Sequence, residues 1–401
     1  MTFFSTTRKL LQQNIREYGM YIALFVIMII FTITTEGTFL SSRNIVNLVN
    51  QTGYIAVLAI GMTLVIIIRH IDLSVGFLAG FLGAIAAIAM ADPKVVAAGM
   101  NLPVYIVIPM TLVLGILAGL ITAFLVAQMK IPSFVASLAG WLIYRGAILV
   151  VTESTGTIII DDDAFNAIGN GFIPDIPDIG ILPGVHKLTL LLGLVAIIIM
   201  IFSEINDRRK KLSYDFEVLP MSLFVLKLVF SSAIIGSITW ILAGYQGLSW
   251  TAVVMLVVTL IYHFMMSQTV LGRHIYAVGG NPDAAELSGI SVKRLIYVVF
   301  GSMGMLSALS GILFASRLQS ATTTAGNLFE LDAIAAAYVG GVSAAGGVGK
   351  VLGSIIGALV MTSLTSGMNL MGIGISYQYL VRGAVLAAAV IFDVATRNIG
   401  K

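Results

Sequence analysis

Twelve apolar runs, separated by short polar breaks, fill most of this 401-residue chain: 19–33, 53–68, 73–90, 102–127, 134–151, 188–202, 223–243, 251–266, 295–314, 333–342, 351–370 and 377–392. A helix needs roughly 20 apolar residues to cross about 30 Å of hydrocarbon, and a chain exposed to lipid must satisfy its backbone hydrogen bonds internally. The expected fold is therefore all-α: a polytopic membrane protein of about twelve transmembrane segments. Apolar residues make up 58% and charged residues 10%, against about 45–50% and 25% in a soluble domain, so a water-soluble core is excluded. Run 333–342 is too short to cross alone and reads as a half-helix. With no cysteine in the chain, disulfides, thiolate metal sites and thiol catalysis are excluded.

Arg8, Lys9 and Arg16 precede the first run in the manner of a signal peptide. No small-residue cleavage pattern follows, so the run reads as an uncleaved first span. If the N-terminus is cytoplasmic and every run crosses, the inner segments hold Arg8, Lys9, Arg16, Arg69, Lys130, Arg208, Arg209, Lys210, Lys211, Arg273, Lys293, Arg294, Lys350, Arg397 and Lys401. The outer loops hold only Arg43, Lys94, Lys187 and Arg317. Positive charge collects on the cytoplasmic side, so both termini are expected there. The long outer loop 152–187 is acidic, with Asp161, Asp162, Asp163, Asp175 and Asp178, and reads as a solvated lid or a docking surface. The inner loop 204–220 reads as a basic anchor.

The polar stretch 267–294 joins two spans on the inner side and carries a helix plan. Asn281 is a good N-cap, Pro282 suits the first helical position, and Asp283 and Glu286 complement the positive helix end. Gly289 supplies the stop. A helix of one or two turns, Asp283 to Ser288, is expected at the membrane surface, where a partner could push on the bundle.

Two breaks interrupt the spans at membrane depth, Arg69 to Ser74 and Ser343 to Gly349. Irregular backbone is tolerated there only when buried in protein or lining a wet cavity. Each leads into glycines at helical spacing, Gly76, Gly80 and Gly83 in one case and Gly349, Gly353 and Gly357 in the other, which let helices approach closely. By span parity both breaks face the cytoplasm, so they are not mates in a simple inverted repeat. Asp72 reads as an N-cap for the third run or as a wall of the solute path, with Ser74 and Gly76 beside it. Arg145 is placed to snorkel outward or to pair with Glu153. Glu330 and Asp332 head the short tenth run, as complements to its dipole or as gate contacts. Gly346 and Gly347 mark the second break as a further path candidate.

The catalytic inventory is nearly empty. His70, His186, His263 and His274 lack metal-ligand spacing. The segment 346–351, GGVGKV, fails as a phosphate loop, because Ala344 stands where the first glycine belongs and Val351 where a magnesium-binding hydroxyl belongs. No nucleotide or metal site is expected on this chain; a driving nucleotide would be bound by another.

The stretch 271–281, LGRHIYAVGGN, continued by 284–292, AAELSGISV, resembles the cytoplasmic coupling loop of ribose, xylose and galactose permeases in ATP-binding-cassette importers. The stretches 71–76, IDLSVG, 325–336, AGNLFELDAIAA, and 340–349, GGVSAAGGVG, resemble other motifs of that family. The likeness covers nearly the whole chain, and 16–20, REYGM, together with the length, is most like the multiple-monosaccharide and xylose members. Shorter ribose-type members resemble this chain without 188–243, which therefore looks like a two-span addition to a ten-span core. The resemblance implies a bacterial inner-membrane permease for a monosaccharide. Its expected partners are a second permease copy, cytoplasmic ATPase subunits that carry ATP and magnesium, and an extracytoplasmic sugar-binding protein. It lends the coupling role, within the loop 268–294, to Asn281, Asp283, Ala284, Ala285, Glu286, Leu287, Ser288 and Gly289. Arg69-His70 and Phe77 are bulkier than the residues common in the family at the first break.

An ion-coupled carrier usually needs carboxylates deep in the membrane, whereas here they lie almost entirely in loops or at span ends. A membrane enzyme would need convergent His, Glu or Asp clusters, which the sequence does not display.

Overall fold

The structure is a computed structural model that describes residues 15–397 apart from 154, 178–182, 215, 217 and 219. Arg8, Lys9, Asp178, Lys401 and the side chains of Arg16 and Arg397 lie outside the described residues. Each apolar run falls on a helix of its own: α1 (Ile15–Thr34), α2 (Ser42–Ile67), α3 (Val75–Met90), α4 (Val104–Ala127), α5 (Ser133–Thr152), α7 (Lys187–Ser213), α8 (Met221–Ala243), α9 (Trp250–Gln268), α12 (Val292–Leu318), α13 (Phe329–Val339), α14 (Val351–Leu370) and α15 (Ile375–Arg397). Three further helices lie in polar breaks, α6 (Asp163–Asn170), α10 (Val270–Gly280) and α11 (Pro282–Leu287). Among the described residues nine helices are long and apolar enough to cross a membrane, and the apolar parts of α1 and α3 are shorter. The chain is thus an all-α polytopic membrane protein. Its tenth run is indeed a short helix, 11 residues long.

The bundle is built around α2: among the nine long helices its most apolar window is the most buried at 89%, with α12 and α14 next at 72% each, and the shorter α3 is buried over most of its length. Helix α2 starts well before the run that announced it, because Asn44 and Asn50 find partners inside the protein. Asn44 Nδ2 donates to the Phe39 carbonyl at 2.8 Å, and Asn50 accepts from the Ser249 hydroxyl at 2.5 Å. Helices α4, α5, α7, α8 and α15 form the outside, down to 6% buried for α8. Their broad apolar faces suit lipid, which needs no amphipathic stripe. Helix α7 also runs on through Arg208 to Lys211 where a loop was expected. Arg208 lies over the Phe224 ring at 4.7 Å, and Lys227 donates to Glu204 at 2.6 Å, so α7 and α8 are stapled into a hairpin.

The glycines flagged in the sequence are close-approach positions. Helix α3 brings Gly76 and Gly80 against the backbone of Gly326 and Ala325, while Gly353 and Gly357 on α14 meet Gly340 and Ala336 at the end of α13. A methyl group at any of the four would collide with main chain. The half-helix and α14 therefore form one tight hairpin around the break 343–349.

At the opposite end of the bundle the acidic loop folds onto the helices. Strand β1 (Thr157–Ile159) pairs antiparallel with β2 (Ser320–Thr322), with Thr157 opposite Thr322. Asp162 caps α6 through Phe165 N–H at 2.8 Å, and Asp175 accepts from the Leu188 N–H at 2.8 Å. Two of the aspartates expected to be solvated thus fasten helix starts.

A candidate coupling and translocation site

Helix α9 ends at Gln268, and Thr269 accepts from the Gly272 N–H at 3.3 Å to begin α10. Asn281 closes α10 and opens α11, its Oδ1 accepting from the Ala284 N–H at 3.1 Å, with Pro282 in the first turn. The end of α11 is a left-handed stop: Gly289 has φ +86°, its N–H donates to Glu286 and the Ile290 N–H to Ala285. The planned helix thus forms, one residue earlier than expected. Ala285 points inward and is buried, whereas Asp283, Ala284, Glu286, Leu287 and Ser288 are exposed, Leu287 at 90%. The exposed side of α11 thus presents Asp283, Glu286 and Leu287 together.

Both span breaks lie at this same end, as span parity implies, and they touch. Gly347 N–H donates to the Ile67 carbonyl at 2.9 Å. Arg69, with φ +64°, donates from Nε to the Gly279 carbonyl at 2.7 Å and from Nη2 to Gly280. Tyr276 donates its hydroxyl proton to the Gly349 carbonyl at 2.7 Å. Gly279 packs so tightly on Ile67 and Gly347 that a side chain there has no room, and Gly346 and Gly347 both have positive φ. The end of α10, the first break and the second break thus form one knot beneath α11.

Asp72 is buried, but it does not cap α3 as expected. Its Oδ1 accepts from the Ser74 N–H at 2.9 Å and from the Ser74 hydroxyl at 2.6 Å, closing a turn just before the helix. An aspartate two residues ahead of the N–H it binds makes such a turn. Helix α5 then clasps this break: Ser133 Oγ accepts from Ile71 N–H at 3.3 Å, and Gly140 lies against Ser74. Arg145 turns inward instead of snorkelling or pairing with Glu153. Its Nη1 donates to the Thr323 carbonyl at 2.6 Å and its guanidinium lies 5.0 Å from the Phe77 ring centre. A carbonyl and an aromatic face inside the bundle satisfy the cation without a route to the membrane surface.

Glu330 and Asp332 occupy the first turn of α13, as expected, but each also engages another helix. Glu330 is buried, and its Oε1 accepts from Trp141 Nε1 of α5 at 3.0 Å. Its Oε2 lies against Gly76 and is without a hydrogen-bond partner. Asp332 is 3.2 Å from Arg382 of α15, which also donates to Thr365 Oγ1 of α14 at 2.8 Å. A cavity of about 410 Å³ opens beside this pair, lined also by Leu331, Met361, Tyr379 and Leu386. At the knot, Asp393 of α15 accepts from Ala344 N–H at 3.1 Å. Trp141, Arg382 and Asp393 escaped the sequence reading. Arg382, a charge inside the last apolar run, and Asp393, directly after that run on the same helix, carried a usable signal; Trp141 carried none.

Among the described residues no three His, Asp or Glu side chains converge to hold a metal ion. What the arrangement offers is mechanical: a capped surface helix seated on a glycine knot, and polar contacts linking helices across the bundle. Such a build defines the membrane subunit of a transport system. The chain belongs to the branched-chain amino acid transport system/permease component family, whose model matches residues 44–390. The xylose transport system permease protein XylH of Haemophilus influenzae is 39% identical over 390 residues, 97% of this chain and 99% of the relative. XylH of Escherichia coli strain K12 is 38% identical over 385 residues, 96% of this chain and 93% of the relative. The ribose import permease protein RbsC of the same strain is 32% identical over 377 residues, 94% and 93% of the two chains. No solved structure matches this chain.

Proposed function

We propose that this chain is the membrane-spanning permease subunit of an ATP-binding-cassette importer that moves a monosaccharide into a bacterial cell, with a pentose such as xylose as the first candidate. The observation that carries this reading is end-to-end similarity to permeases named for xylose and ribose, with the xylose pair closer in identity than the ribose relative. ATP and magnesium are bound by separate ATPase subunits, and this chain is not an enzyme. The exposed face of α11, from Asp283 to Gly289, receives the ATPase, and an extracytoplasmic sugar-binding protein docks at the end that carries β1 and α6. Two copies of this chain line the path. Charge bias supports a cytoplasmic position for α10, α11 and both termini. The weakly buried hairpin 188–243 is a two-span addition to the transporting core.

The family's description supports a second reading, a branched-chain amino acid as the solute. Uptake into vesicles holding this chain, its ATPase and its binding protein separates these, using labelled xylose, ribose, galactose, arabinose and leucine with ion gradients collapsed. ATP-dependent uptake of a sugar is expected. Uptake of leucine alone would replace the solute, and uptake that needs an ion gradient but no ATP would replace the class.

A further inference from the structure

Helix α15 is one of the least buried spans, yet it is tied to the α13 hairpin at two levels. Near its start Arg382 pairs with Asp332 on the first turn of α13 at 3.2 Å. Near its end Asp393 accepts from the Ala344 N–H at 3.1 Å, in the turn that follows α13. Between these ties α13 itself spans about 16 Å at 1.5 Å per residue. Its turn lies in the glycine knot beneath α11, where Gly347 meets Ile67 and Tyr276 meets Gly349. Its first turn reaches α5 through Glu330 and Trp141 at 3.0 Å.

We propose that α13, its turn and α15 move as one lever, pushed at the turn by the α10–α11 segment and gripping α5 through the Trp141–Glu330 hydrogen bond. A stiff element with contacts at both ends is what carries a displacement across a bundle, and α13 has them. Trp141, Glu330, Asp332, Arg382 and Asp393 are then positioning residues of the transport step. They touch neither the ATPase nor ATP; they set whether motion below becomes motion of α5 and α15 above. The buried, half-satisfied carboxylate of Glu330 fits this role, because a group with one free acceptor can exchange partners as the helices shift. The proposal rests on the coupling role assigned to α11 above.

The test uses the complete transporter in vesicles and reads solute moved per ATP hydrolysed. If the ATPase subunit fails to bind the unaltered chain, the coupling assignment fails, whatever the variants do. If it binds, Trp141→Phe, which keeps the ring against Phe77 and removes the donor, is expected to lower solute moved per ATP about tenfold, the scale of one lost hydrogen bond. The single changes Asp332→Arg and Arg382→Asp are expected to do the same, and their combination to recover most of the loss. An unchanged ratio in Trp141→Phe, or no recovery in the exchanged pair, overturns the lever.

A measurement on otherwise native protein covers variants that fail to fold. The chain has no cysteine, so spin labels at Ala345→Cys with Leu380→Cys report the lever, and labels at Leu117→Cys with Leu380→Cys report the lever against α4. All three positions are exposed. Labelled chain is diluted into unlabelled chain and compared without nucleotide and with a non-hydrolysable ATP analogue on the ATPase. The first distance is expected to stay fixed while the second changes. A change in the first, or none in the second, refutes the lever.

Discussion

Arg69 Nε donates to the carbonyl of Gly279 at 2.7 Å, joining the break after α2 to the last turn of α10 across 210 residues of sequence. The contact is specific to a guanidinium, because the same side chain reaches Gly280 with Nη2. A lysine has one donor centre and cannot hold two carbonyls in this fixed fork. Arg69→Lys is therefore expected to lower ATP-driven transport severalfold with normal membrane insertion. Transport assays on matched amounts of inserted protein decide it, and full activity in the lysine variant would show that the fork is dispensable.

Gly279 seats its backbone on Ile67 and Gly347 with no room for a side chain. Gly279→Val is expected to displace the knot and lower the thermal unfolding temperature in detergent, whereas Gly280→Ala, whose added methyl meets nothing within 4 Å, should have little effect. Equal melting temperatures for the two variants would contradict the packing described here.

Leu287 is almost fully exposed and makes no contribution to the core. Leu287→Ala should leave stability within about 0.5 kcal/mol, as for other surface changes, yet weaken capture of the ATPase subunit. Gly289→Arg should be more severe, since φ +86° favours glycine and the long side chain crowds the same face. Co-purification of the ATPase with each variant is the readout; undiminished capture by both would remove α11 from the contact.

Orientation is checked with single cysteines and a membrane-impermeant reagent. Labels in the loop 152–187 should react from outside intact cells, and labels beside Arg208 only after the membrane is opened. The reverse pattern would invert every sidedness assignment made for this chain.

In the loop 152–187, desolvation pushes the Asp175 carboxyl up, but the backbone N–H groups of Leu188, Lys187 and Ile176 and the nearby His186 outweigh it, so the group sits below its usual value. A depressed folded value means the contribution is fully present above the unfolded pKa of about 3.9 and is lost as pH falls through the folded one. Pepsin cleavage of the loop should therefore rise as pH is lowered below about 4, and Asp175→Asn should be cleaved readily even where the native loop is protected. Identical cleavage profiles for the two would sink the assignment.

The helices were legible because spans are written in composition: a run of apolar residues has few other fates in a bilayer. Asn281, Pro282 and Gly289 were legible because capping is local, decided by residues within one turn. The start of α2 was not, since Asn44 and Asn50 look like loop until their partners Phe39 and Ser249 are in place. Helix α10 was missed for a related reason: it ends in two glycines, and its stability comes from packing on Ile67 and Gly347, far away in sequence. Arg145 shows the limit most plainly. Its charge was visible, but whether it turned to water or to Thr323 depended on which helix stood beside it.

The hairpin of α7 and α8 is held by Glu204 with Lys227 and Arg208 with Phe224, and packs chiefly on itself. A unit of that kind can leave the translocon already paired and join the rest afterwards, without waiting for distant segments to be synthesised. Its weak burial against the rest of the bundle makes its outer surface a natural place to graft a label or a fusion domain.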